Sequence, residues 1–510
     1  MTKFRTFTAF LPFRKHLVLG ILVLLLAGTF AAWHVSEWPV RLRYPGDLGL
    51  VEGVPMAEML HLRQGVPIYA PPTPQRFDAA IYGPLYFLLG SRLVNPDEPA
   101  YFPLRVLSLF GTLGCAAGCA LLAFWISRSY FAALLAPLIF LSYGFVTTHG
   151  ISARADLVAL LLFFSGFLIA YRFRRSRALL AAIPFMVLGV YYKQQFVAGP
   201  LAVFLFLLLG KRYRLAAEFA GLMALGGLGL LAVFEWVVFR GQGFLRHFVL
   251  YNMLPFSWFK FSLGGWQLGL MFFVPLLLAL EFLRVQRDKL LGCYLGCTVF
   301  LSVVTSARPG SDSNYFLECA LVLSVLVAAL LARNLSGPTG ISEMLVLLAV
   351  MLFFAQWFAP AAPRAEDFKR DRAVQEFLRG NFPRHARALG YYPGDLLRAG
   401  LDTPVSDPFQ YSQLVFQGRV PDRDLLIQLH ERRFAVVVIH FELRDEGVAR
   451  RRIDRLPDAW REAILQNYQL MTSIEMPAQE RLLPEDRFYV WVPRAGGAPV
   501  ASSEGGAIRP

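Results

Sequence analysis

The sequence predicts a mostly α, polytopic membrane helical bundle followed by a small C-terminal α/β domain. Three observations predict it. The 510 residues are 56% hydrophobic and only 17% charged, less charge than a soluble chain of this length carries. The apolar residues come in long blocks rather than at amphipathic spacing. At Pro360-Ala-Ala-Pro363 the composition turns charge-rich, with short helix and strand patterns beyond. The expected boundaries are 1–358 for the membrane part, 359–494 for the α/β domain and 495–510 for a Gly/Ala/Ser-rich disordered tail.

Hydropathy places about eleven spans, centred near residues 27, 113, 139, 163, 184, 203, 228, 275, 298, 324 and 349. The first run, Leu17 to Val35, lacks an A-x-A cleavage site and reads as an uncleaved anchor. Basic clusters fix the expected orientation: Lys3, Arg5, Arg14 and Lys15; Arg172, Arg174, Arg175 and Arg177; Lys211, Arg212 and Arg214; Arg284, Arg287 and Lys289. All fall on one side of this topology, and the positive-inside rule makes that side cytoplasmic. The expectation is therefore a multi-pass plasma (inner) membrane protein with a cytoplasmic N-terminus and an extracytoplasmic C-terminal domain.

The formal charge of +14 invites a nucleic-acid partner. Its concentration in short inter-span clusters argues instead for topology signals and contact with anionic membrane lipid. The five cysteines, Cys115, Cys119, Cys293, Cys297 and Cys319, all fall in predicted spans. Their i, i+4 pairs read as small apolar packing groups rather than metal ligands.

In the C-terminal part, helices are expected over Asp367–Gly380, Asp422–Arg432 and Asp458–Tyr468. Strands are expected over Phe434–Ile439 and Arg487–Val492. The spans near 184 and 203 are short, with Tyr191-Tyr-Lys-Gln-Gln195 between them. They suit a hairpin that carries Lys193 into a cavity.

The polar residues that suit chemistry fall in the outside loops. The long first loop, 37–99, holds Asp47 and Glu52, a carboxylate pair suited to a base or an ion site. It continues through Glu58 and His61, on a short helix expected to lie along the surface from Met56 to Gln64, and then through Tyr82 and Tyr86. Later loops bring His149, Arg154 and Asp156; Lys193 and Gln194; Arg246, His247, Asn252, Trp258 and Lys260; then Arg308, Asn314, Tyr315 and Glu318. Cations would hold a phosphate and a carboxylate would activate an acceptor hydroxyl, which suits a phosphate-bearing lipid substrate.

Each group also has a structural reading. Asp47 and Glu52 fit ordinary loop carboxylates. Arg154 and Asp156 fit an ion pair at a helix start, and Lys193 fits a snorkelling interfacial lysine. His149 and His247 fit packing residues, and Arg105 fits a partner for a loop carboxylate or headgroup. No Walker loop, dinucleotide fingerprint, HExxH or Cys-rich zinc pattern is present.

Several segments, in order along most of the chain, resemble the GT-C class of integral-membrane glycosyltransferases, the group containing protein O-mannosyltransferases and bacterial lipid A aminoarabinose transferases. They are Gly46-Asp-Leu-Gly-Leu-Val-Glu-Gly53, Gln64-Gly-Val-Pro-Ile-Tyr69, Ile81-Tyr-Gly-Pro-Leu-Tyr86, Ser152-Ala-Arg-Ala-Asp-Leu157, Tyr192-Lys-Gln194, Gly310-Ser-Asp-Ser-Asn-Tyr-Phe-Leu-Glu318 and Ser406-Asp-Pro-Phe-Gln-Tyr-Ser412. The resemblance implies transfer of a sugar from a polyprenyl-phosphate donor to an extracytoplasmic glycan, lipid or protein, with inversion at the anomeric carbon.

By the same resemblance Asp47 or Glu52 is the base, with Asp156 as a second acidic group. Lys193, Arg154 and Arg308 bind the donor phosphate. Tyr82, Tyr86, Gln194, His247, Asn314, Tyr315 and Glu318 bind substrate. The class often has an adjacent Asp-Glu pair, whereas here Val51 precedes Glu52, so both carboxylates stay candidates. Some members hold a divalent cation (Mg, Mn or Ca) near the loop carboxylates and others do not; at Asp47 and Glu52 the point stays open. The rival reading is a lipid or solute transporter or flippase. It calls for mid-bilayer polar residues and an internal repeat; Glu235 and Glu281 lie near span ends, and no repeat is visible.

Overall fold

The structure, a computed structural model, describes residues 5–49, 52–73, 76–335, 341–356, 361–452, 454–481 and 483–495. The expected disordered tail lies, from residue 496 onward, outside the described residues. The chain forms two compact units. One comprises Met1–Leu48, Ile81–Val94 and Ala100–Pro363; the other comprises Gly49–Ala80, Asn95–Pro99 and Arg364–Pro510. The single boundary expected near 358 is thus replaced by an interleaved one, because the middle of the first loop folds with the C-terminal chain.

In chain order the first helices are α1 (Arg5–Ser36), α2 (Trp38–Arg43) and α3 (Gly53–Arg63), the last belonging to the second unit. The helical unit continues with α4 (Pro84–Leu93), α5 (Phe102–Ser127), α6 (Tyr130–Ser142), α7 (Gly144–His149), α8 (Asp156–Arg172), α9 (Ile183–Tyr192) and α10 (Ala198–Leu209). It ends with α11 (Tyr213–Ala232), α12 (Trp258–Gln286), α13 (Lys289–Ser306), α14 (Leu317–Asn334) and α15 (Ile341–Phe354). Each of the eleven expected span centres falls within one of these helices. Among the described residues, six segments are long and apolar enough to cross a membrane by length and composition: Leu17–Arg43, Phe102–Ser127, Tyr213–Val238, Trp258–Gln286, Lys289–Ser306 and Ser313–Asn334. The protein is therefore a multi-pass membrane protein.

Local chemistry sets the helix limits. The Ser129 and Ser257 hydroxyls accept from the Ala132 and Lys260 amides and start α6 and α12. Asp288 accepts from the Leu290 and Leu291 amides at 3.0 and 3.2 Å and starts α13. The most apolar window of α14 is wholly buried whereas that of α11 is only 6% buried. So α14 is the central helix, and α11 presents its apolar surface outward, as a lipid-facing helix must.

Three basic clusters meet at one end. Arg212 donates to the Arg174 carbonyl at 2.5 Å, Arg174 lies 3.7 Å from Asp288, and Tyr171 donates to Asp288 at 3.0 Å. Asp156 and Arg172 terminate α8, so the Asp156 end is the opposite one.

The second unit contains α16 (Ala365–Asn381), β1 (Ala388–Gly390), α17 (Pro393–Arg398), α18 (Pro408–Phe416), α19 (Arg423–His430), β2 (Val436–Ile439), α20 (Glu446–Arg451), α21 (Asp458–Asn467), β3 (Tyr468–Glu475) and β4 (Arg487–Pro493). The sheet order is β1-β2-β4-β3, with β1 parallel to β2 and the other pairs antiparallel. The five tail elements expected from the sequence are present; the pattern did not reveal β1 and β3.

The helix expected to lie along the surface from Met56 to Gln64 is instead a core element of this unit. Met56, Ala57 and Met59 are fully buried and α3 packs on α17. Glu58 explains why. Its carboxylate accepts from the Ala80 amide at 2.6 Å and from the Ser406 hydroxyl at 3.3 Å, tying the loop segment to the C-terminal chain. Burial, with Asp78 close by, pushes the Glu58 carboxyl well above its ordinary range. His61 is paired with Asp78 at 2.7 Å in the same core.

Candidate active site

The site is built where α8 begins, α9 ends and the segment leading into α14 passes between them. Asp156 opens α8 and is fully buried. Three donors converge on its carboxylate. Lys193 Nζ lies 2.7 Å from Oδ1, Asn314 Nδ2 lies 2.7 Å from the same oxygen, and Arg154 Nε lies 3.0 Å from Oδ2. The sequence places Lys193 and Asn314 far from Asp156. The bundle joins them because Lys193 directly follows α9, Asn314 directly precedes central α14, and Arg154 is two residues from Asp156.

Gln195, absent from the expected site, brackets Asn314 on both sides. It donates to the Asn314 carbonyl at 3.2 Å and accepts from its side chain at 3.3 Å. It stands next to Gln194 in the Lys193-Gln-Gln195 run.

Tyr82 and Tyr86 are brought to this centre. Lys193 Nζ lies 4.9 Å from the Tyr82 ring centroid, a cation–π distance, and the Tyr86 hydroxyl donates to the Ala153 carbonyl at 2.8 Å. The Ile81-Tyr-Gly-Pro motif has a steric basis. A Cβ on Gly83 would lie 2.2 Å from the Tyr191 carbonyl oxygen, so only glycine lets this turn touch the end of α9. Gln194 and Asn252 both donate to the Ile81 carbonyl, at 3.3 and 2.6 Å, and both also reach the Phe248 carbonyl.

Arg308 differs from the other two cations. Its guanidinium donates to the Tyr315 hydroxyl and, at 3.1 Å, to the Asn252 carbonyl. These acceptors are neutral, whereas Lys193 and Arg154 share the Asp156 carboxylate. His149 bonds the Ser313 hydroxyl at 3.0 Å and lies 3.8 Å from Asp312. Burial, reinforced by the Arg154 charge, pulls the His149 pKa down to about 4, so it is neutral at physiological pH. Lys193, just past the end of α9, is pulled down to about 8. Burial dominates and the Asp156 charge opposes it.

A polar cleft of about 110 Å³ lies beside this centre, lined by Lys260, Gln267, Ser306, Ser311 and Asp312. Ser311 and Asp312 share their segment with Asn314, which joins the cleft to the ion cluster along the chain.

Asp47 is buried, and helix α5 governs its place. Arg105, fully buried in the first turn of α5, donates to the carbonyls of Arg41, Tyr44 and Gly46. One turn further on, the Ser108 hydroxyl bonds the Arg154 carbonyl at 3.3 Å, and Thr112 bonds Gly150 at 2.8 Å. A single face of α5 thus pins both the segment ending at Asp47 and the segment ending at Asp156. Holding these carbonyls is a role that the position of Arg105 in the sequence did not signal.

Glu52 is fully buried at the start of α3, in the second unit. His247 is fully buried, its ring 4.6 Å from that of Tyr251. Glu318 is buried in the first turn of α14, and one of its oxygens faces Gly199 at the start of α10.

Fold and sequence together define a multi-pass membrane protein with a GT-C glycosyltransferase-like fold. The particular likeness is to ArnT from Cupriavidus metallidurans. Its apo crystal structure superposes with a TM-score of 0.57 at 11% identity, over 91% of this chain and 97% of that one. Its structure bound to undecaprenyl phosphate gives 0.56 at 12% identity, over 92% and 98%. At these identities the likeness is one of fold. No protein-family model and no curated protein matches the sequence.

Proposed function

We propose that the protein is a membrane glycosyltransferase that moves a sugar from a polyprenyl-phosphate donor to an acceptor on the extracytoplasmic side. The observation that supports this most is the buried Lys193–Asp156–Arg154 cluster with Arg308 nearby, in a fold shared with a protein solved with undecaprenyl phosphate. The cluster lies at the end of the bundle opposite the basic loops, which the positive-inside rule assigns to the cytoplasm.

In this reading the lipid phosphate is the leaving group. Arg308, bonded to neutral acceptors, offers it an uncompensated guanidinium. Lys193 and Arg154 add positive potential in a water-poor setting, where it is worth most. Asp156, already saturated by three donors, orients those cations. A first-loop carboxylate takes the acceptor proton, and the α5 contacts that pin both segments favour Asp47 for this role. The polar cleft at Lys260 and Asp312 admits polar parts of the substrates. The acceptor is an envelope glycan, a lipid or a protein.

The test is direct. Purified protein in detergent, given a polyprenyl-phosphate sugar, should consume the donor and release polyprenyl phosphate. Intact donor after prolonged incubation with candidate acceptors, together with unaltered envelope glycans and lipids in a deletion strain, would count decisively against the proposal.

A further inference from the structure

A second constellation lies within the C-terminal unit, outside the chemistry proposed above. Asp371 on α16, Asp395 on α17 and Glu480 in the turn between β3 and β4 place one carboxylate oxygen each within 4.8 Å of the others. Among the described residues this is the one such grouping of three His, Cys, Asp or Glu side chains. All three are buried, at 4%, 4% and 0% exposure.

Clustering alone says little, since buried acids often pair with a cation or share a proton. Arg398 supplies one positive charge, 2.5 Å from Asp371 and 3.7 Å from Asp395. Both oxygens of Asp395 are buried and no N–H or hydroxyl group donates to either of them; the carboxyl instead lies against that of Glu480. Gln375, one turn along α16 from Asp371, donates to the Asp395 carbonyl at 3.1 Å, and its own Oε1 is likewise buried with no hydrogen-bond partner. Buried acceptors left unpaired carry a desolvation penalty that a ligand would relieve.

With all three acids ionised, the cluster and Arg398 sum to a charge of about −2, which one divalent cation balances. The donor set is oxygen only, which selects hard cations over zinc. Ca²⁺ holds oxygens at roughly 2.3–2.6 Å, so ligand atoms across it stand close to the observed spread.

We propose that Asp371, Asp395 and Glu480, with the Gln375 amide oxygen, bind one Ca²⁺-type divalent cation that staples α16, α17 and the β3–β4 turn together. The site is structural and independent of sugar transfer.

Full-length protein in detergent, stripped with a chelator, is titrated with Mn²⁺ and followed by electron paramagnetic resonance, with Ca²⁺ as competitor. The expected result is one saturable Mn²⁺ per chain, displaced by Ca²⁺ and absent from Asp395→Asn. Saturating Ca²⁺ should raise the unfolding midpoint by roughly 5 °C in the wild type and not in the variant. Wild-type protein that takes up no Mn²⁺ overturns the proposal. So does equal uptake by wild type and Asp395→Asn; the acids then share protons instead. Should Asp395→Asn fail to fold, Gln375→Ala, which keeps every carboxylate, must weaken Mn²⁺ binding, and unchanged affinity overturns the site.

Discussion

Lys193 Nζ and Asp156 Oδ1 lie 2.7 Å apart, and both residues are buried. A buried ion pair is seldom a bargain for stability, because desolvating the two charges offsets their attraction. Here the carboxylate also serves Arg154 and Asn314, so one acid fixes three donors drawn from three segments. The arrangement makes sense if the donors must be held still for a further anion. Replacing Lys193 with methionine keeps the bulk and removes the charge. Transfer should fall by about 10²–10³-fold, measured as sugar released from a polyprenyl-phosphate donor. Unchanged turnover in Lys193→Met would remove the lysine from the mechanism.

The same lysine predicts a pH dependence. Its pKa is held near 8 against an ordinary 10.5, so the charged form dominates below pH 8 and fades above it. Activity that needs the ammonium should decline as pH rises through about 8. Stability runs the other way. Between pH 8 and 10.5 the folded state binds fewer protons at this site than the unfolded chain, so this group's penalty is full below pH 8 and is relieved as pH rises. A pH–rate profile and a thermal-unfolding series on the same preparation separate the two. Parallel declines would show that alkaline inactivation is unfolding.

Gly83 gives a steric prediction. A Cβ there would meet the Tyr191 carbonyl at 2.2 Å, which nothing but backbone movement relieves. Gly83→Ala should cost about 1–3 kcal/mol and push Tyr82 away from Lys193. The expected signature is a fall in turnover larger than the loss of thermal stability explains. A variant with wild-type turnover would show that the Tyr82–Lys193 contact is dispensable.

How much of this was legible in the sequence follows from what sets each feature. Apolar run length marks a helix without knowledge of its neighbours, so all eleven centres fall in helices, and three of the four basic clusters that suggested a common side meet at Arg174, Arg212 and Asp288; the side chains of the first cluster lie outside the described residues. The Arg154–Asp156 pair was readable because its members are two residues apart. Gln195 was not singled out, since its importance comes from Asn314, 119 residues away. Arg105 also holds backbone carbonyls, a role that no side-chain pattern announces. The fate of α3 was hidden for a related reason. Met56, Met59 and Leu60 look alike whether they face lipid or a protein core, and only the Glu58 bonds to Ala80 and Ser406 decide between them.

The choice of base can be decided by two conservative substitutions. Asp47 and Glu52 are both buried, but they belong to different compact units, and their surroundings differ. Asp47 follows a segment whose carbonyls at Tyr44 and Gly46 are held by Arg105, and the same face of α5 holds Arg154 through Ser108. Glu52 stands at the start of α3, which packs on α17 within the second unit. If Asp47 accepts the acceptor's proton, Asp47→Asn should lower turnover by about 10²–10⁴-fold with little change in donor affinity or unfolding midpoint. Glu52→Gln should instead shift the unfolding midpoint of the second unit while leaving appreciable turnover. The reverse pattern, an inactive but stable Glu52→Gln beside an active Asp47→Asn, would move the base to Glu52.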